Sequence, residues 1–89
     1  MGTKSYKFYS DSSHGWVAVT RKELEKLGII NKVSGYSYIS PSGKTIYLEE
    51  DCDATLFVKA KQAKNEVIAF IDKYIDGRHW IRNLSNFSL

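Results

Sequence analysis

Two runs rich in β-branched and aromatic residues, Tyr36-Ser37-Tyr38-Ile39 and Lys44-Thr45-Ile46-Tyr47-Leu48, flank the tetrapeptide Ser40-Pro41-Ser42-Gly43. Proline at the second position of a β-turn presets φ, and glycine at the fourth tolerates the exit geometry, so this stretch is predicted to be a hairpin. The hairpin commits the chain to antiparallel pairing, and the rest of the sequence has to fold around it. Lys4 to Tyr9 alternates polar and aromatic residues and reads as an N-terminal strand. The polar segment Asp11 to Gly15 has the composition of a turn. Trp16-Val17-Ala18-Val19 reads as a second strand or as the lead into a helix.

Thr20-Arg21-Lys22-Glu23 matches a capping box, in which the side chains of Thr20 and Glu23 each serve a free backbone N–H. Leu24 and Leu27 share a face, and Gly28 stands where a left-handed residue closes a helix. A helix of about two turns over residues 21–27 follows. After the hairpin, Glu49-Glu50-Asp51-Cys52-Asp53 is expected to open a second helix, because acidic side chains suit its positive end. Leu56, Phe57, Ala60 and Ala63 form its apolar stripe, Lys59, Lys61 and Lys64 lie largely off that stripe, and Asn65 is its stop. Residues 66–75 read as a last strand. The 77–89 tail contains Trp80, Ile81, Leu84, Phe87 and Leu89, too apolar to lie free in water, and is expected to pack along the sheet or against a partner.

The predicted fold is therefore a single small two-layer α+β domain over residues 1–89, in the order β-β-α-β-β-α-β. Its sheet is mainly antiparallel, with two helices on one face. The longest apolar run, Val67 to Ile71, is far too short to span a bilayer, and Met1 to Ser13 lacks the apolar core of a secretion signal. A lone cysteine, Cys52, leaves no intramolecular disulfide framework. The chain reads as cytoplasmic.

The net charge of +3 conceals an uneven distribution: +4 over residues 1–48, −4 over 49–58 and +3 over 59–89. Neither basic arm has a run of Lys or Arg of the kind that gathers phosphate contacts. The acidic block has a D-x-D spacing at Asp51 and Asp53, but a calcium loop would need glycine and glutamate where Leu56 and Gln62 stand, so no metal is expected. Cys52 is flanked by four carboxylates that oppose thiolate formation. His14 and His79 adjoin no nucleophile or phosphate-binding motif. No catalytic residue and no cofactor is implied, and the chain does not read as an enzyme.

Twelve aromatic residues, six of them Tyr, are the stronger signal. If helices cover one sheet face, rings on the other stand open, suited to a protein interface or to base stacking on single strands. Glu49, Glu50, Asp51 and Asp53 are the candidate charged contacts to a partner, with Trp16, Tyr36 and Tyr38 as anchors. A basic partner surface would be drawn to the acidic block. Nucleic acid on an open aromatic and basic sheet face is the alternative.

His14-Gly15-Trp16-Val17-Ala18-Val19, Tyr36-Ser37-Tyr38, Tyr47-Leu48-Glu49-Glu50-Asp51-Cys52-Asp53-Ala54 and Ile81-Arg82-Asn83 form a pattern spanning roughly residues 13–83. This pattern resembles a group of short proteins encoded by bacteriophages, plasmids and other mobile elements. The resemblance implies a genomic context in which small accessory proteins often inhibit host defence, by occupying a surface on CRISPR or restriction machinery.

Overall fold

The computed structural model describes residues 3–77 and 79–88. Its elements are β1 (Lys4–Ser10), β2 (Gly15–Thr20), α1 (Arg21–Lys26), β3 (Tyr38–Ile39), β4 (Thr45–Glu49), α2 (Ala54–Ala63), β5 (Ile68–Tyr74) and β6 (Ser85–Asn86). Short 3₁₀ turns occupy Ile30–Lys32 and Trp80–Asn83. The six strands form one sheet in the order β5-β1-β2-β4-β3-β6. Every neighbouring pair is antiparallel except β1 and β5, which run parallel from Lys4 beside Ile68 to Ser10 beside Tyr74. The fold is α+β, with a mostly antiparallel sheet and two helices. Among the described residues, no helix is long and apolar enough to cross a membrane.

Local chemistry accounts for the elements that the sequence announces. Thr20 caps α1 by accepting from the Glu23 N–H at 3.2 Å. At the other end Gly28 (φ 75°) lets its own N–H reach the Glu25 carbonyl and the Ile29 N–H reach that of Leu24. This pair of bonds is a Schellman closure, which any residue with a Cβ would strain. Asn65 (φ 58°) does the same for α2, where the Glu66 N–H bonds to the Lys61 carbonyl. The hairpin turn closes with the Gly43 N–H on the Ser40 carbonyl at 2.9 Å.

Two expectations fail at the start and on the side of α2. Glu49 is the last residue of β4, opposite Trp16, so the acidic block forms the turn before the helix, which begins only at Ala54. Asp53 holds the capping position but gives no side-chain bond to the helix. The buried stripe is Ala54, Phe57 and Lys61, while Ala63 is exposed. Lys61, expected off the stripe, is drawn in by two carboxylates: Glu23 of α1 at 2.5 Å and Glu66 at 2.6 Å.

Over the middle of the sheet both faces are covered, while β5 at its edge is exposed. On the helix side Tyr6, Val17, Val19, Ile46 and Leu48 meet Leu24 of α1, Ala54 and Phe57 of α2, and Ile29 and Phe87 from the loops. Each fully buried side chain of this size contributes roughly 1.5–3 kcal/mol. On the other side Tyr9, Trp16, Ala18, Tyr38 and Tyr47 lie under Ile81 and Leu84, with the rings of His79 and Trp80 packed edge-to-face against Tyr9 and Trp80 against Tyr47. The C-terminal segment thus runs across the second face before β6 pairs with β3. Arg78 and Leu89, counted with the apolar tail, lie outside the described residues.

Candidate functional site

β1 ends, β2 begins and β4 ends on the same side of the sheet, so the turns after β1 and β4 are neighbours. Gly15 permits this approach. A Cβ there would lie 2.3 Å from the Phe8 ring, and its carbonyl accepts from the Glu50 N–H at 3.0 Å.

In the first turn, Asp11 Oδ1 accepts from the N–H groups of Ser13 (2.9 Å) and His14 (3.0 Å). The same carboxylate takes a forked pair of bonds from Arg82, 2.7 Å from Nε and 3.0 Å from Nη2, and a third from the His79 N–H at 3.2 Å. Arg82 also lies over the Trp16 ring, 5.2 Å from its centroid. The Arg82 fork, reinforced by the N–H donors, holds the Asp11 carboxyl far below the usual carboxylate range. Burial lowers the pKa of His79, which keeps that ring neutral. The C-terminal segment is clamped to the first turn at this point.

The second turn is organised by Asp53. Its carboxylate accepts from the Ser34 N–H (3.1 Å to each oxygen), the Ser34 hydroxyl (2.7 Å) and the Ser37 hydroxyl. Ser37 Oγ in turn accepts from the Glu49 N–H at 3.0 Å, and the Glu49 carboxylate accepts from the Asp51 N–H at 2.7 and 3.0 Å. Loop 34–37 is thereby fastened beside the acidic turn.

The seven residues singled out in the sequence divide accordingly. Glu50 and Asp51 reach solvent, and Tyr36, 71% exposed, projects from the fastened loop. Asp53 is only 3% exposed and Glu49 is also buried, so neither is a free charged contact; both satisfy internal N–H and O–H groups. Trp16, 2% exposed beneath the C-terminal segment, is a core residue and not a surface anchor. Tyr38 is half-buried, packed edge-on to Trp16. The open aromatic face needed for base stacking is occupied for the same reason.

The fold adds His14, which no local pattern joins to the acidic block. Ligand-type atoms of His14, Glu49 and Asp51 lie within 4.8 Å of one another. They are of the types that hold divalent cations, although both Glu49 oxygens already accept from the Asp51 N–H. Cys52 is exposed, and desolvation with the Glu49, Asp53 and Asp51 charges pushes its thiol pKa up, the opposite of what a nucleophile needs.

The far end of the sheet has the opposite character. A groove of about 760 Å³ there is lined by Lys4, Lys22, Lys26, Lys61 and Lys64 with Glu23 and Glu66. Burial alone would raise the Glu23 pKa, but Lys61, the Tyr6 hydroxyl at 2.6 Å and Lys4 donate to it and hold it below the ordinary value. The molecule is polarised, acidic beyond the end of β1 and basic before its start.

Fold and site together define the class: a small α+β domain that displays an acidic end beside an exposed tyrosine. No protein-family model matches the chain, and no curated protein or solved structure matches it either.

Proposed function

We propose that this chain is a non-enzymatic protein-binding module of phage or mobile-element origin, working in the cytoplasm of a bacterial host. It inhibits a defence complex, of the CRISPR or restriction kind, by masking a basic surface. The observation that carries this reading is that Glu50, Asp51 and the exposed Tyr36 share one end of the domain and are held there by buried bonds through Asp53 and Gly15. A preorganised acidic patch with a rigid aromatic anchor loses little entropy on docking and is steered toward positive charge. The resemblance of the sequence pattern to that of mobile-element proteins suggests the cellular setting.

The test is charge reversal. The double variant Glu50→Lys, Asp51→Lys should weaken capture of the partner from bacterial lysate, and with the purified partner raise Kd at least about tenfold. Its thermal midpoint should match the parent, because neither side chain supports the core. Undiminished affinity in a folded double variant would refute the reading. Among the described residues a lysine groove remains for nucleic acid, and Lys61 and Lys4 there are already paired to Glu23. A gel shift with single-stranded oligonucleotides at low salt should accordingly show no complex.

A further inference from the structure

The two edges of the sheet are unlike each other. β6 is two polar residues long, a blunt edge, whereas β5 has seven residues, six of them exposed. β5 contains no Pro, and its charges are confined to Asp72 and Lys73 near one end, so most of the edge lacks the devices that keep a strand from pairing. It also carries apolar side chains on both faces. Phe70, 44% exposed, lies on the helix side against Phe8, and Ile71, 46% exposed, lies on the other. Beside Phe70 runs a mainly apolar groove of about 410 Å³ lined by Phe8, Val17, Ala54, Thr55, Val58 and Asp72.

The backbone of this edge can be assigned. Lys4 N–H bonds to the Val67 carbonyl and Ile75 N–H to the Ser10 carbonyl, at the two ends of the parallel ladder. In such a ladder alternate residues bond to the neighbouring strand, so Val67, Ala69, Ile71, Lys73 and Ile75 face β1. The N–H and C=O groups of Ile68, Phe70, Asp72 and Tyr74 consequently point away from the sheet. A strand that docks here must offer outward groups at the same period.

We infer that the occupant is β5 of a second copy, paired antiparallel across a two-fold axis at Ile71. In that register all seven strand residues are matched. Ile71 faces its own copy, Phe70 faces Asp72, Ile68 faces Tyr74 and Ala69 faces Lys73, with no like charges directly opposite. A shift of two residues one way sets Asp72 against Asp72, and the other way leaves Lys73 and Tyr74 without strand partners. The result is a continuous twelve-stranded sheet, isologous as a two-fold contact requires. Since β5 runs parallel to β1, the two acidic ends lie at opposite poles of the dimer, and each remains free to bind. This inference does not depend on what those ends bind.

Sedimentation equilibrium over a concentration series tests it. The parent chain should approach twice its 10.2 kDa mass. Ile71→Lys and Ile71→Glu should each remain monomeric, with an unchanged far-UV spectrum and a Kd for self-association raised at least about tenfold. An equimolar mixture of the two should recover the dimer, because opposite charges then meet at the axis. A parent that stays monomeric overturns the proposal, as does Ile71→Lys that still dimerises. A charge-complementary mixture that fails to associate, or a parent that pairs only with an added foreign strand, overturns it equally.

Discussion

Asp11→Asn should release the C-terminal segment from the sheet while leaving the strands beneath it paired. The asparagine keeps the shape and can still receive some of the N–H groups of Ser13, His14 and His79. It removes the charge that Arg82 grips with two bonds. Arg82 would then sit over Trp16, three-quarters buried, with no counter-charge. Breaking one partner of a buried pair costs roughly 3–5 kcal/mol, and the partial exposure of Arg82 places this case near about 3. Amide exchange should accelerate over residues 79–87 well before it does in β1 and β2, and Trp fluorescence should shift as the cover over Trp16 loosens. Arg82→Lys should lose nearly as much, since an ammonium cannot fork onto both oxygens. The effect also has a pH signature. Native Asp11 titrates below its unfolded value, so its contribution is complete above about pH 5 and is lost as acid protonates the unfolded chain first. His79 acts earlier. Its native pKa is lowered by burial, so stability begins to fall once the pH drops below about 6.5, where the unfolded histidine takes up a proton. Asp11→Asn should shrink the lower of these two declines, to which Glu23 also contributes, and keep the upper one. Equal stability of Asp11→Asn and the parent at pH 7 would show that the clamp does not hold the segment.

Physical locality explains how much of this was readable from the amino acids. The Thr20 cap on the Glu23 N–H, the closure at Gly28 and the Pro41–Gly43 turn are satisfied within a few residues, so composition and spacing suffice to find them. The Glu23 half of the capping box does not form, because its carboxylate is taken by Tyr6, Lys4 and Lys61. The parallel partnership of β1 and β5 joins the two ends of the chain, and no local pattern records it. The aromatic face misleads for a related reason. Alternation places Tyr9, Trp16 and Tyr47 on one side of the sheet, but which side stays open depends on where the tail goes, and Arg82 sends it across these rings. Four carboxylates within five residues read as a solvated patch. Glu50 and Asp51 reach solvent, while Asp53 turns inward because Ser34 and Ser37, distant in sequence, bring three donors to it. Lys61 is the mirror case, an apparently surface lysine buried by Glu23 and Glu66. In each instance a charged residue went inside because a remote segment supplied its partners, and that information is absent from the local pattern.

Asp53 is also where the largest single loss is expected. Replacing it by alanine removes one acceptor group that serves the Ser34 N–H and two serine hydroxyls at once. Ser37 is wholly buried, so its hydroxyl has no recourse to water, and its carbonyl and Oγ also receive the N–H groups of Phe87 (2.7 Å) and Glu49. The damage therefore spreads from the acidic turn to the end of β4 and to the last residues of the chain. At roughly 1–3 kcal/mol for each buried group left unmade, Asp53→Ala should cost about 4 kcal/mol. A domain of this size has roughly 5–10 kcal/mol in total, and its Tm should fall by roughly 15–30 °C. Asp53→Asn should lose less, since its amide oxygen still accepts from one serine. Urea unfolding followed by circular dichroism measures both. Tyr36 offers the functional counterpart, because its loop is fastened to Asp53 through Ser34 and Ser37, beside the Asn86 amide that donates to the Gly35 carbonyl. Loss of Asp53 should weaken partner binding together with stability, whereas reversal of Glu50 and Asp51 weakens binding alone. An Asp53→Ala domain as stable as the parent would mean that the serine loop is held by other contacts, and the rigidity ascribed to the acidic end would not come from Asp53.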